Sequence, residues 1–150
     1  MRDLVWSTVL FLHLLAAVFW VGGQLMLSIV VLPLLRRTAP PATVRDLAVA
    51  SGRRFTAITW RGLLPVLVVT GVLLAWHDGV RPASIGSTAF GRVLLAKAAL
   101  VGVVFGLAAA HGLLARRIGR GSARAIAVAT LVLSVLILGL AAALAVLPGP

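Results

Sequence analysis

The sequence predicts an all-α integral membrane protein, with four transmembrane helices in one antiparallel, up-down bundle. Of its 150 residues, 61% are hydrophobic and 11% are charged, and the mean hydropathy of +1.13 is far above that of a soluble domain. The apolar residues are concentrated in four long runs. Because a helix needs about 20 residues to cross a hydrocarbon core of about 30 Å, each run can span the membrane once. Short connections favour antiparallel neighbours in a single domain, residues 1–150.

The first helix is predicted over residues 4–35. The run follows a basic residue, Arg2, and resembles the start of a signal peptide. It is much longer than a signal-peptide core of about 7–15 residues, and it ends in Pro33-Leu-Leu-Arg-Arg, which is typical of a membrane stop. We therefore expect it to remain as a transmembrane helix.

The other three helices are predicted over residues 55–77, 92–116 and 124–147. Turn-forming stretches separate the runs: Thr38-Ala-Pro-Pro, Asp78-Gly and Gly119-Arg-Gly-Ser. Residues 42–51 have apolar side chains at helical spacing beside Arg45, which predicts an amphipathic stretch at the inner membrane surface.

The arginines predict the topology. Ten of them lie in or beside the first and third loops, whereas three others lie outside these regions. By the positive-inside rule both loops face the cytoplasm, so both termini face outward, in a cytoplasmic-type cell membrane. A basic patch for acidic lipid or nucleic acid is the alternative, but topology alone explains the charges and no nucleic-acid partner is predicted. The ten arginines are Arg36, Arg37, Arg45, Arg53, Arg54, Arg61, Arg116, Arg117, Arg120 and Arg124.

Several kinds of chemistry are disfavoured by the composition. The chain has no cysteine, so it can form neither a disulfide nor a thiolate metal site. Its only acidic residues are Asp3, Asp46 and Asp78, which argues against hydrolysis by paired carboxylates. No nucleotide-binding glycine pattern is present.

One face of the first helix combines a histidine with small and polar residues. Residues at the spacing i, i+3, i+4, i+7 share this face, and they include an imidazole, an indole and an amide. The small residues among them leave space for a flat group. Such a face can wall a cofactor or line a polar path. The alternative is that the histidine only bonds to a backbone carbonyl across the bundle. The face comprises His13, Ala16, Ala17, Trp20, Gly23, Gln24 and Leu27.

Three ionisable residues are predicted to lie at one depth. His13 precedes Arg36 by 23 residues, His77 follows Arg54 by 23, and Lys97 precedes Arg116 by 19. Buried ionisable groups are costly in lipid, so we expect them to face the bundle interior and to have partners. His77 can instead be an interfacial helix end, and Lys97 can extend to the outer headgroups.

The fourth candidate, His111, lies five residues before Arg116, near the inner surface. This position predicts no role for His111 in the outer layer of ionisable groups.

Extended stretches resemble the membrane domain of the copper resistance protein D (CopD) family: LHLLAAVFWVGGQLMLSIVVLPLLRR, GRRFTAITWRGLLPVLVVTGVLLAW and FGRVLLAKAALVG. The arrangement is also similar to the four-helix HemJ type of protoporphyrinogen oxidase, a haem b protein. In that type a first-helix histidine and a third-helix lysine are the functional pair. The resemblance implies these roles for His13 and Lys97.

The two resemblances imply different cofactors. Copper(I) prefers thiolate or thioether ligands, and this chain offers only Met1 and Met26. Haem needs one or two imidazoles and an apolar pocket. The leading hypothesis is haem b, with His13 and His77 as axial ligands and an electron-transfer or oxidase role. The alternative is copper import or copper resistance, with the same two histidines as metal ligands.

The remaining residues and partners complete these hypotheses. Trp20 and Gln24 are predicted to contact the cofactor, and Lys97 to pair with a haem propionate or transfer a proton. Membrane lipid is an expected partner, together with a membrane redox partner or a second copy of the chain. A third hypothesis is an assembly subunit without chemistry of its own.

Overall fold

The structure, a computed structural model, describes residues 1–83, 85–114 and 120–147, and most of these residues are helical. Four helices in these ranges are long and apolar enough to cross a membrane: Arg2–Thr38, Pro41–His77, Ala89–Ala110 and Arg124–Val146. The protein is therefore an all-α, multi-pass membrane protein with four spanning helices, as predicted. Two compact units divide the chain, Met1–Ala75 and Trp76–Pro150.

The first unit contains two long helices separated by a tight turn. Helix α1 (Arg2–Leu25) continues through a π-helical segment (Met26–Val31) into α2 (Leu32–Thr38). After the turn, α3 (Pro41–Ile58) continues through a second π-helical segment (Thr59–Leu63) into α4 (Leu64–His77). The turn forms because Ala39 and Pro40 each precede a proline, which disfavours the helical conformation, and both are extended.

The first loop is much shorter than predicted. Helical structure resumes at Pro41, so the expected amphipathic stretch at residues 42–51 is part of a helix that runs on into the second span. The predicted start at residue 55 was wrong, because a proline in the first turn of a helix needs no hydrogen-bond partner and the helix then continues to His77. Similarly, the first span ends at Thr38 and not at residue 35.

Each proline inside a span follows a π-helical segment. Pro33 and Pro65 lack an N–H group, and their rings would clash with the carbonyl one turn earlier in a regular helix. The wider turn precedes each proline by one residue. There the N–H of Leu32 donates to the Leu27 carbonyl, and that of Leu64 to the Thr59 carbonyl. The extra residue per turn accommodates the prolines without ending the helices.

The second unit begins with the last two residues of α4 and contains α5 (Ala89–Leu114) and α6 (Arg120–Val146). These two helices pack against each other, with Val104, Phe105, Ser134 and Ile137 buried. The predicted end of the third helix at residue 116, and the turn around Gly119, lie outside the described residues.

The loop between α4 and α5 is held by its own side chains. The Arg81 guanidinium lies 4.3 Å from the centre of the Trp76 ring and donates a 3.0 Å hydrogen bond to the Trp76 carbonyl. The same carbonyl also accepts a 3.2 Å hydrogen bond from the Gly79 N–H, so two donors satisfy it at the end of α4. At the other end of the loop, the Gly91 N–H donates to the Thr88 hydroxyl, which caps α5.

Candidate functional site

The candidate site lies in the first unit, where the His13 imidazole of α1 meets Thr70 of α4. The Nδ1 atom of His13 is 2.8 Å from the Thr70 hydroxyl oxygen. Thr70 is only 6% exposed, whereas His13 is half-buried. The histidine is therefore bonded to a side chain on another membrane-spanning helix.

The Thr70 hydroxyl is itself anchored to its own helix. It donates a short hydrogen bond to the carbonyl of Val66, one turn earlier, while the Leu67 carbonyl is 3.5 Å away. This back-bonding to the preceding turn is common for threonine in helices. It fixes the hydroxyl oxygen in position opposite the imidazole.

A glycine next to Thr70 allows the ring to lie close to α4. A side-chain carbon added at Gly71 would lie 3.3 Å from Cε1 of His13 and 3.8 Å from its Nδ1. These distances mean that the edge of the ring packs directly over the Gly71 backbone. Thr70 and Gly71 thus form the surface on which the imidazole rests.

The predicted face of α1 is confirmed as a face. Its seven members are buried or half-buried, and their neighbours Leu14, Leu15, Val18 and Phe19 are exposed. Trp20 lies deepest in the contact among the aromatic residues of α1, at 5% exposed. Gln24, near the C-terminal end of this face, is half-buried. The periodicity therefore identified correctly which side of α1 packs inward; it did not test whether these residues contact a cofactor.

Close packing also occurs where the C-terminal part of α1 meets α3. A side-chain carbon at Gly23 would lie 2.5 Å from Cε2 of Phe55, so the Phe55 ring occupies the space above this glycine. One turn after Phe55, Thr59 is 6% exposed, and its hydroxyl oxygen has no hydrogen-bond partner among the described residues. Thr59 thus contrasts with Thr70, whose hydroxyl is hydrogen-bonded to both His13 and Val66.

The other predicted site residues belong to the second unit. His77, the last residue of α4, is exposed, a location that suits an interfacial helix end. Lys97 is half-buried in α5, and no hydrogen bond or ion pair joins it to another residue in the described ranges. The expected meeting of His13, His77 and Lys97 in one layer stays a prediction.

Two further points concern metal binding. Among the side chains that the structure describes, no three histidine or acidic groups lie together as a metal site. The side chain of His111 lies outside the described residues, so its predicted lack of a role stays a prediction.

Thr70 is the functional residue that sequence reasoning missed. Between residues 62 and 75 it is the only side chain with a hydroxyl, in a run that otherwise reads as uniformly apolar. A buried polar group in such a run needs a partner, and this signal could have paired Thr70 with a residue on another helix.

The sequence is similar to a curated protein of Aquifex aeolicus (strain VF5) that is described as an uncharacterized protein. The two are 38% identical over 76 residues, which cover 49% of this chain and 52% of the relative. The chain thus matches this relative over about half the length of each. No family profile and no solved structure matches the chain. The likeness names no activity, so the function is inferred from the site itself.

Proposed function

We propose that this protein binds haem b in the membrane through His13 and has an electron-transfer or oxidase role. The observation that carries the proposal is the 2.8 Å bond between His13 and Thr70 inside a membrane-spanning helix pair. A histidine that ligates a metal almost always bonds through its other ring nitrogen to an oxygen acceptor. The bond to Thr70 matches that pattern.

The surroundings of His13 suit a flat, apolar cofactor. On its own helix it is followed by Ala16 and Ala17. Small residues next to the ligand leave room for a ring that lies flat, and the apolar spans exclude water. Haem is held by one or two such imidazoles, so the absence of a larger ligand cluster among the described residues is no obstacle.

Copper handling, as the CopD resemblance implies, is less well supported by the donor atoms. A copper(I) site needs soft sulfur ligands. Met1 and Met26 are 12 and 13 residues from His13 along the sequence, which corresponds to about 18–20 Å along a helix. Neither thioether is therefore near the imidazole.

Haem, when bound, supplies a one-electron couple that exchanges an electron with a membrane redox partner. The chain would hold the iron through His13, and through His77 if this residue is a second ligand. Lys97 would pair with a propionate or carry a proton. Trp20 and Gln24 would contact the ring from the inner part of the same α1 face. We assign the protein to the cytoplasmic membrane on the distribution of its arginines.

The test is the absorption spectrum of the purified full chain. We expect a sharp b-type band on reduction, and we expect His13→Ala to lose it while the protein still inserts. His111→Ala is the control and should keep the haem content of the native protein. A His77→Ala variant with an altered spectrum would identify the second ligand, and Lys97→Met should keep the spectrum but impair electron transfer.

Two results would overturn the proposal. Full haem occupancy in His13→Ala would remove its central residue. Absence of haem from the native protein, with copper found by metal analysis, would favour the copper function instead. Absence of both would favour an assembly subunit.

A further inference from the structure

The hydroxyl of Thr70 has a single proton, and the structure indicates where that proton goes. A hydroxyl can donate once and accept twice. The Val66 carbonyl lies at a short hydrogen-bond distance from the Thr70 oxygen, and a carbonyl can only accept. If the proton pointed elsewhere, two oxygens with facing lone pairs would be in close contact. The proton is therefore donated to Val66.

The direction of this bond determines the tautomer of His13. Because the Thr70 hydrogen is already used, the 2.8 Å contact with Nδ1 can be a hydrogen bond only if Nδ1 carries the proton and donates it. In a neutral imidazole the other nitrogen, Nε2, then carries the lone pair. A nitrogen with a lone pair is the form that binds a metal.

We infer that Thr70 is a positioning residue, which selects the Nε2 tautomer of His13 and fixes the plane of its ring so that Nε2 can bind haem iron. This inference rests on the proposed haem function. The bonds run in one direction, from Nδ1–H to the Thr70 hydroxyl and on to the Val66 carbonyl, so each strengthens the next. Such a chain makes the imidazole a stronger electron donor to a bound metal.

Gly71 also helps to fix the orientation of the imidazole. Its lack of a side chain lets Cε1, the carbon between the two nitrogens, pack against the backbone of α4. A hydrogen bond therefore restrains the ring at Nδ1, and packing restrains it at Cε1. Together they limit rotation of the imidazole about its Cβ–Cγ bond.

The test compares Thr70→Val and Thr70→Ser in the full-length protein with haem. Valine has nearly the same shape as threonine but cannot accept a hydrogen bond, whereas serine keeps the hydroxyl. We expect Thr70→Val to bind haem about 10–100-fold more weakly and to shift the reduction potential to a more positive value, because a weaker imidazole donor stabilises Fe(III) less. Thr70→Ser should restore both properties.

Two matched controls separate this role from a general effect of losing a threonine hydroxyl. Thr59→Val removes a buried hydroxyl from the same unit, one with no hydrogen-bond partner among the described residues. Thr130→Val removes a hydroxyl that donates 2.8 Å to the Ile126 carbonyl of its own helix, as Thr70 does to Val66. Neither should change the haem spectrum or potential. If Thr70→Val does not accumulate, Thr70→Ala, which cannot overpack, replaces it.

The outcomes distinguish this inference from the proposed function. If His13→Ala loses haem but Thr70→Val keeps the native affinity and potential, the inference is overturned and the haem function stands. An equal shift in Thr70→Val and Thr70→Ser would also overturn it, because the effect would then come from packing. Haem retained by His13→Ala overturns both.

Discussion

The Nδ1 atom of His13 and the hydroxyl oxygen of Thr70 lie 2.8 Å apart, although 57 residues separate them in sequence. This bond joins the middle of α1 to α4 through the one hydroxyl in the α4 sequence. A polar pair of this kind satisfies two groups that would each be costly to leave alone in hydrocarbon. It also gives the first unit a defined register, since His13 can reach the hydroxyl at only one offset between the helices.

Gly71→Ala tests the contact on which the imidazole rests. The new methyl group would lie 3.3 Å from Cε1 of His13, tighter than ordinary van der Waals contact, so the ring must move away from α4. We expect weaker haem binding and an altered spectrum, with little loss of stability because alanine favours the helix by about 1 kcal/mol. Gly22→Ala is the control, since its methyl group meets nothing within 4 Å. Identical spectra for the two variants would contradict the prediction.

Gly23→Ala tests the close packing of the Phe55 ring against Gly23. Its methyl group would lie 2.5 Å from Cε2 of Phe55, which the ring cannot accept without moving. We expect a loss of about 1–3 kcal/mol in the free energy of unfolding, the usual cost of overpacking. Thermal unfolding in detergent measures it. Phe55→Leu in the same chain should recover part of the loss, and no recovery would mean that the Phe55 ring is not the cause.

Thr59→Val tests the buried hydroxyl without a partner. A buried hydroxyl that makes no hydrogen bond costs about 1–3 kcal/mol, and valine replaces it with a methyl group of similar shape. The melting temperature should therefore stay the same or rise. Thr70→Val, by contrast, should lower it, because the His13 nitrogen and the Thr70 hydroxyl are bonded to each other. A clear loss of stability in Thr59→Val would indicate that a water or ligand bonds to this hydroxyl.

The topology is tested by reporter fusions. The arginines of the first and third loops predict that both loops are cytoplasmic. The reporter is one that is active only in the cytoplasm. It should therefore be inactive when fused after Pro150 and active when inserted after Ala39, in the turn between α2 and α3. Cytoplasmic activity after Pro150 would also remove the basis for placing His13 and His77 in the outer part of the membrane.

Hydropathy and periodicity were enough to predict the helices and the inward side of α1. The four apolar runs determine four spanning helices, because a chain in lipid must satisfy its backbone hydrogen bonds internally. The spacing of His13, Ala16 and Trp20 determines that they share a face, since helix geometry fixes which residues are neighbours. These properties follow from local sequence alone. They required no knowledge of any other helix.

The partner of His13, the length of α3 and the passage of helices through Pro33 and Pro65 were decided only by the tertiary structure. Hydropathy cannot set the register between two spanning helices, because an apolar side chain is as stable against lipid as it is against another helix. The register between the helices depends on where a small residue of one helix lets a large side chain of the other pack against its backbone. Phe55 packs in this way against Gly23, and His13 against Gly71. Once these contacts fix the offset of the helices, Thr70 lies opposite His13, and a histidine in an apolar run becomes an imidazole of defined orientation.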